Sequence, residues 1–147
     1  RAEKSAVINE RYIISTMNRA IVCLGSNVPG GKLLVKKSCV EIRGLVSSAK
    51  FSSCYETVPV SSIPQPNYHN CVGVLETELE FEDLFRIFKE MEKAAGRTPG
   101  GKKVGIVPLD IDIAMWNDEI KKPRDMMQDY MQIGLMELND PSCRLVK

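Results

Sequence analysis

From Val107 to Met115 the chain alternates strictly: Val107, Leu109, Ile111, Ile113 and Met115 fall on one parity, Pro108, Asp110, Asp112 and Ala114 on the other. A period of two is that of a β-strand, so the segment belongs in a sheet. One of its faces turns to a core, and Asp110 and Asp112 project together from the other. Their Cα atoms then stand roughly 6.6 Å apart. Two carboxylates at that spacing suit one or two hard divalent cations, which prefer oxygen ligands. The same pattern also describes a half-exposed strand whose outer face is merely acidic, and the alternation alone leaves both readings open.

A chain of 147 residues is expected to form one domain with a core large enough to need no staples. The formal charge of +1 argues against a nucleic-acid or membrane-surface partner gathered by bulk electrostatics. No apolar run reaches the length of a membrane span and no secretory leader is visible, so the expected location is the cytoplasm. Five cysteines are an odd number with no CxxC pair. Cys23, Cys39, Cys54 and Cys71 fall on apolar positions and read as buried thiols of a reducing compartment. His69 is the single histidine. A zinc site and His-dependent nucleophilic systems are therefore not expected, and the chemistry rests on carboxylates, basic groups and hydroxyls.

Residues 1–16 read as a polar extension, and Met17 as a natural start. A strand follows at Ala20–Leu24, ended by Gly25-Ser26-Asn27 and the Pro29-Gly30-Gly31 turn signals. Val35, Cys39, Ile42 and Val46 predict a helix from Lys32, which Gly44 ends. Lys50–Thr57 alternates as a strand, the proline-stiffened segment from Val58 to Tyr68 as a loop, and Asn70–Leu79 as another strand. Leu84, Phe88, Met91 and Ala95 mark a helix over Glu82–Ala95 with Gly96 as its cap. A glycine-rich basic loop leads into the two-aspartate strand, and a Met-rich helix between Asp125 and Leu138 is expected without a clear phase. The order β-α-β-β-α-β predicts an α+β, ferredoxin-like sandwich: an antiparallel sheet with helices on one face, in a single domain over 17–147.

Read in order, the motifs resemble 6-hydroxymethyl-7,8-dihydropterin pyrophosphokinases. They are Leu24-Gly25-Ser26-Asn27; Tyr55-Glu56-Thr57-Val58-Pro59 leading to Gln65-Pro66-Asn67-Tyr68-His69-Asn70; Glu92 with Gly96-Arg97; and Pro108-Leu109-Asp110-Ile111-Asp112-Ile113. Together they span about Ala20 to Glu119. The resemblance implies transfer of diphosphate from ATP to the hydroxymethyl group of a reduced pterin, with AMP released and no protein partner required. It implies Asp110 and Asp112 as ligands of two Mg2+ ions, with Asp112 helping to deprotonate the alcohol and Arg97 beside them in the catalytic set. It implies Thr57, Val58, Tyr68 and Asn70 as the pterin-binding group, and Glu92, Arg97, Lys102 and Lys103 as ATP contacts.

Some family positions differ here. The tryptophan that closes over the pterin is Val104, the arginine that reaches the phosphates is Val107, and a second loop arginine is Pro99. Asp129-Tyr130 can be laid on a His-Tyr position of the family's tail with a one-residue deletion, and no Arg-x-Phe follows it. Two functional expectations result: a divergent pterin pyrophosphokinase, with Arg97, Lys102 and Lys103 covering for the missing arginines, or a weakened homologue that binds pterin or nucleotide without efficient turnover.

Overall fold

The computed structural model describes residues 17–59 and 61–141, preceded by two short strands, β1 (Val7–Ile8) and β2 (Ile13–Ile14), which pair antiparallel with Val7 opposite Ile14. The main elements follow as β3 (Asn18–Ser26), α1 (Gly31–Arg43), β4 (Ser48–Phe51), β5 (Tyr55–Thr57), β6 (Tyr68–Thr77), α2 (Phe81–Ala94), β7 (Asp110–Trp116), β8 (Glu119–Ile120), α3 (Pro123–Met126) and α4 (Asp129–Glu137). All pairings are antiparallel, in the order β4-β6-β3-β7-β8, with β5 continuing β4's edge along β6. This is the expected α+β sheet. The single strand read over Lys50–Thr57 is two, separated where Ser52, Ser53 and Cys54 leave the ladder.

The run Ala20-Ile21-Val22-Cys23-Leu24 explains the layering. β3 is central, and both of its parities are buried, as a continuous apolar run demands. Ala20, Val22 and Leu24 pack with Val35, Cys39 and Ile42 of α1 and with Leu84, Phe88 and Met91 of α2. Ile21 and Cys23 face the other way, onto a second cluster with Val72, Val74, Met126, Met131 and Leu135. α1 and α2 thus cover one face as expected, and α3 and α4 cover the opposite one. Gly134 lets α4 lie against the sheet, because a Cβ there would run into Val72.

β7 departs from its sequence pattern at one point. Val22 pairs with Ile113 but Ile21 with Met115, so Ala114 is an extra residue in a β-bulge. Ala114 and Met115 therefore both join the second cluster, while Leu109, Ile111 and Ile113 remain in the first. The alternation put Met115 with Ile113, and the bulge reverses it. No helix among the described residues is long and apolar enough to cross a membrane.

Candidate active site

The end of the sheet that α3 and α4 leave uncovered is where the polar motifs meet. In the ladder Gly25 lies opposite both Asn70 of β6 and Asp110 of β7, so the three form one cross-strand row. With strands about 4.8 Å apart, Asn70 and Asp110 stand roughly 10 Å from each other over a bare glycine floor. A side chain at Gly25 would strike the Asn70 amide oxygen and lie against Tyr68. A cavity of about 650 Å³ opens on this floor. Thr57, Val58, Tyr68 and Asn70 line one end; Arg97, Lys102, Asp110 and Asp112 line the other.

Asn27 joins the loops that roof the cavity. It is buried; its amide donates to the Gly105 carbonyl at 2.8 Å and to Gln65 Oε1 at 3.2 Å, and its Oδ1 accepts the Val107 N–H at 2.8 Å. Gln65 also accepts the Tyr68 hydroxyl at 3.1 Å. Gly105, at φ +81°, turns the chain out of the single 3-10 turn Lys102–Val104 so that this contact forms. The Gly-Ser-Asn motif thus supplies a floor and a clasp. At the other end of the floor the Asn70 amide donates to Thr57 Oγ1, which fixes the amide's orientation across β5 and β6.

The acidic end is held by a relay. Arg97 Nη1 contacts Asp110 Oδ1 at 2.6 Å and Glu92 Oε2 at 3.3 Å, and donates to the Leu109 carbonyl at 3.2 Å. Glu92 lies buried behind it, accepting the Ile111 N–H at 2.7 Å and Lys89 Nζ at 3.2 Å. Glu92 therefore occupies the place where a neighbouring strand would satisfy the free edge of β7. Lys122 Nζ lies 3.8 Å from Asp112 Oδ1. The two aspartates are not equivalent. Burial acts to raise both, but hydrogen bonds from Asp112 and Arg97 bring Asp110 below the usual carboxylate value. Asp112 is pushed up to about 7 by burial first, then by the charge of Asp110 and of Asp125, against the opposing effect of Lys122.

Asp125 was not singled out from the sequence. It sits in α3 on the cavity wall, and a carboxylate oxygen of it, one of Asp112 and the Cys23 sulfur all lie within 4.8 Å of one another. Its own pKa is raised, by burial and by Asp110. The donor set offered to a cation at this end is thus carboxylate-rich, as a hard divalent ion requires. Lys89, Lys122, Arg124, Gln128 and Tyr130 also line the cavity. Tyr130, laid on the His-Tyr position in the sequence, is thus brought to the cavity by α4.

Two expected nucleotide contacts are placed elsewhere. Glu92 is beneath the wall with both oxygens engaged, and Lys103 is not on the wall, whereas its neighbour Lys102 is. Val107 borders the cavity but is almost fully buried; Val104 is exposed on the 3-10 turn, away from the wall.

Comparison with known proteins identifies the family. A family model described as 7,8-dihydro-6-hydroxymethylpterin-pyrophosphokinase matches residues 21–140. The chain is 31% identical over 103 residues to a folate synthesis bifunctional protein of Arabidopsis thaliana, covering 69% of this chain and 21% of that protein. It is 30% identical over 112 residues to the 2-amino-4-hydroxy-6-hydroxymethyldihydropteridine pyrophosphokinase of Helicobacter pylori, covering 74% and 69% of the two chains. The corresponding enzyme of Aquifex aeolicus is 28% identical over 123 residues, 78% of this chain and 76% of that one. The chain thus spans about a fifth of the plant bifunctional relatives and most of these two bacterial ones.

Proposed function

The chain belongs to the 7,8-dihydro-6-hydroxymethylpterin-pyrophosphokinase family, and from that premise we propose that it transfers diphosphate from ATP to the hydroxymethyl group of 6-hydroxymethyl-7,8-dihydropterin and releases AMP. The observation that carries this reading is the row Asn70–Gly25–Asp110, which sets a hydrogen-bonding amide and a carboxylate pair at opposite ends of one open floor.

A reduced pterin is flat and has an edge of donors and acceptors, which an amide can match in both senses. Asn70 is the group for that edge, held by Thr57; Tyr68 and Tyr130 offer faces on either side, and Val58 closes the rim. The triphosphate goes to the cationic end, where Arg97, Lys102, Lys122 and Arg124 supply positive charge in place of the arginine replaced by Val107. Transfer of this kind rests on alignment and charge neutralisation more than on covalent chemistry by the protein.

Asp110 and Asp112 would hold Mg2+, with Asp125 as a third carboxylate at hand. The bound ions would neutralise phosphate charge and fix its geometry. Asp110, kept ionised by Arg97, is suited to remain a ligand. Asp112, the other carboxylate at this end, is placed to take the hydroxyl proton at a carboxylate oxygen as the alcohol attacks the β-phosphorus. Glu92 and Arg97 act behind them as positioning groups.

Pterin binding followed by the ligand's own fluorescence tests the assignment of the two ends. Asn70→Ala is expected to weaken binding by about tenfold or more, since a buried partner for the pterin edge is lost. Equal affinity in wild type and Asn70→Ala would remove Asn70 from the pterin site.

A further inference from the structure

Away from the cavity floor, on the opposite face of the sheet, three thiols meet. Cys71 of β6 is buried, and its sulfur lies 3.5 Å from that of Cys39 on α1. Cys54 packs against the same buried cluster from its solvent side. The backbone explains why. Phe51 pairs with Gly73 and Tyr55 with Asn70, so the three residues between the two β6 pairings loop past Cys71 and bring Cys54 across from it. Cys54 differs from the others in being half-buried and open to solvent.

We propose that Cys54 is a peroxide-reactive thiol and Cys71 its resolving partner, so that hydroperoxides convert the pair to a disulfide linking the β4–β5 connection to β6. A reactive thiol needs access, a cationic surrounding and a second thiol within reach. Cys54 has all three: it is partly exposed, Lys32 and Lys36 bias it toward thiolate, and the Tyr55–Asn70 pairing sets Cys71 across from it. The neighbouring Cys71 thiol is the largest of these influences, and it brings the Cys54 pKa down to about 7 against the effect of burial. By contrast, Cys23 is enclosed and faces carboxylates, which hold its thiol well above the usual value.

The chemistry balances with the hydroperoxide as sole oxidant. The Cys54 thiolate attacks the terminal peroxide oxygen and breaks the O–O bond. Cys54 becomes a sulfenic acid, and the departing alkoxide or hydroxide takes up a proton. Cys71, a thiol that its Cys39 and Cys54 neighbours and burial keep protonated, attacks the Cys54 sulfur and passes its proton to the departing hydroxide, which leaves as water as the S–S bond forms. The two sulfurs together lose two electrons, and the peroxide gains them. This site is independent of the proposed pyrophosphokinase reading and stands or falls without it.

The test is treatment of the full chain with a small excess of hydrogen peroxide, followed by thiol titration, intact mass and peptide mapping. The expected result is loss of two thiols, a mass lower by two hydrogens and a Cys54–Cys71 cross-linked peptide that dithiothreitol reverses. Cys54→Ser is expected to abolish the cross-link and to slow peroxide consumption at least tenfold, while Cys39→Ser retains it. A Cys39–Cys71 cross-link that persists in Cys54→Ser would overturn the proposal. So would oxidation of Cys54 to sulfinic acid with Cys71 still free, or full thiol retention.

Discussion

Asp112→Asn separates the cost of a crowded acidic site from its function. In wild type without a divalent cation, Asp112 titrates at about 7 against 3.8 for a free side chain, a shift of about three units. At about 1.36 kcal/mol per unit this amounts to ~4 kcal/mol of stability lost on ionisation. Its side chain is 19% exposed, too little for water to screen the repulsion. The proton is shared with Asp110, whose pKa moves down, so about half of that sum, ~2 kcal/mol, is assigned to Asp112 itself.

The sign follows from linkage. A carboxylate raised in the folded state keeps its proton there while the unfolded chain has lost it. Stability is full below about pH 4, declines as pH rises to about 7, and is flat above. Asparagine resembles the protonated acid and removes that decline. Thermal unfolding in EDTA is therefore expected to show wild type and Asp112→Asn alike at pH 4, with the variant higher by about 4–8 °C at pH 8. A variant less stable at pH 8, or a gap unchanged between the two pH values, would refute the reasoning.

Two further outcomes follow from the same groups. Magnesium binding near pH 7 should release protons as it draws Asp112 into the ionised state, seen as a calorimetric binding enthalpy that changes with the ionisation enthalpy of the buffer; identical enthalpies in all buffers would contradict it. Glu92→Ala should cost about 3 kcal/mol in a denaturant melt, because Arg97 and the Ile111 N–H lose a buried partner, whereas Glu92→Gln should recover part of it by keeping the acceptor for Ile111.

Much of the fold was legible because the apolar pattern is strong where the core is. Val35, Cys39 and Ile42 gave α1, and Leu84, Phe88 and Met91 gave α2, both within a residue or two at the helix start. The second helical layer corrects the expectation of helices on one face alone: Ala20–Leu24 is apolar at every position, and a strand buried on both faces needs a cover on each. The bulge at Ala114 was not legible, since nothing in an alternating sequence marks an extra residue in the ladder.

Within the site, residues on regular strands were readable and residues fixed by tertiary contact were not. Asp110, Asp112, Tyr68 and Asn70 share the cavity that their motifs implied. Glu92 offered a signal that went unused: it follows Leu84 and Phe88 at four-residue steps, so a charged side chain there had to be buried and partnered. Asp125 and Lys122 carry no such mark. They come to the site only because Pro123 starts a four-residue helix that folds back over β7.

AMP formation from Mg–ATP, measured with and without 6-hydroxymethyl-7,8-dihydropterin, bears most directly on the central claim. AMP that appears only with the pterin, in equal amount to pterin diphosphate, is the predicted result. A folded protein that binds both ligands yet forms no AMP would contradict diphosphoryl transfer and leave a binding protein built on the same cavity.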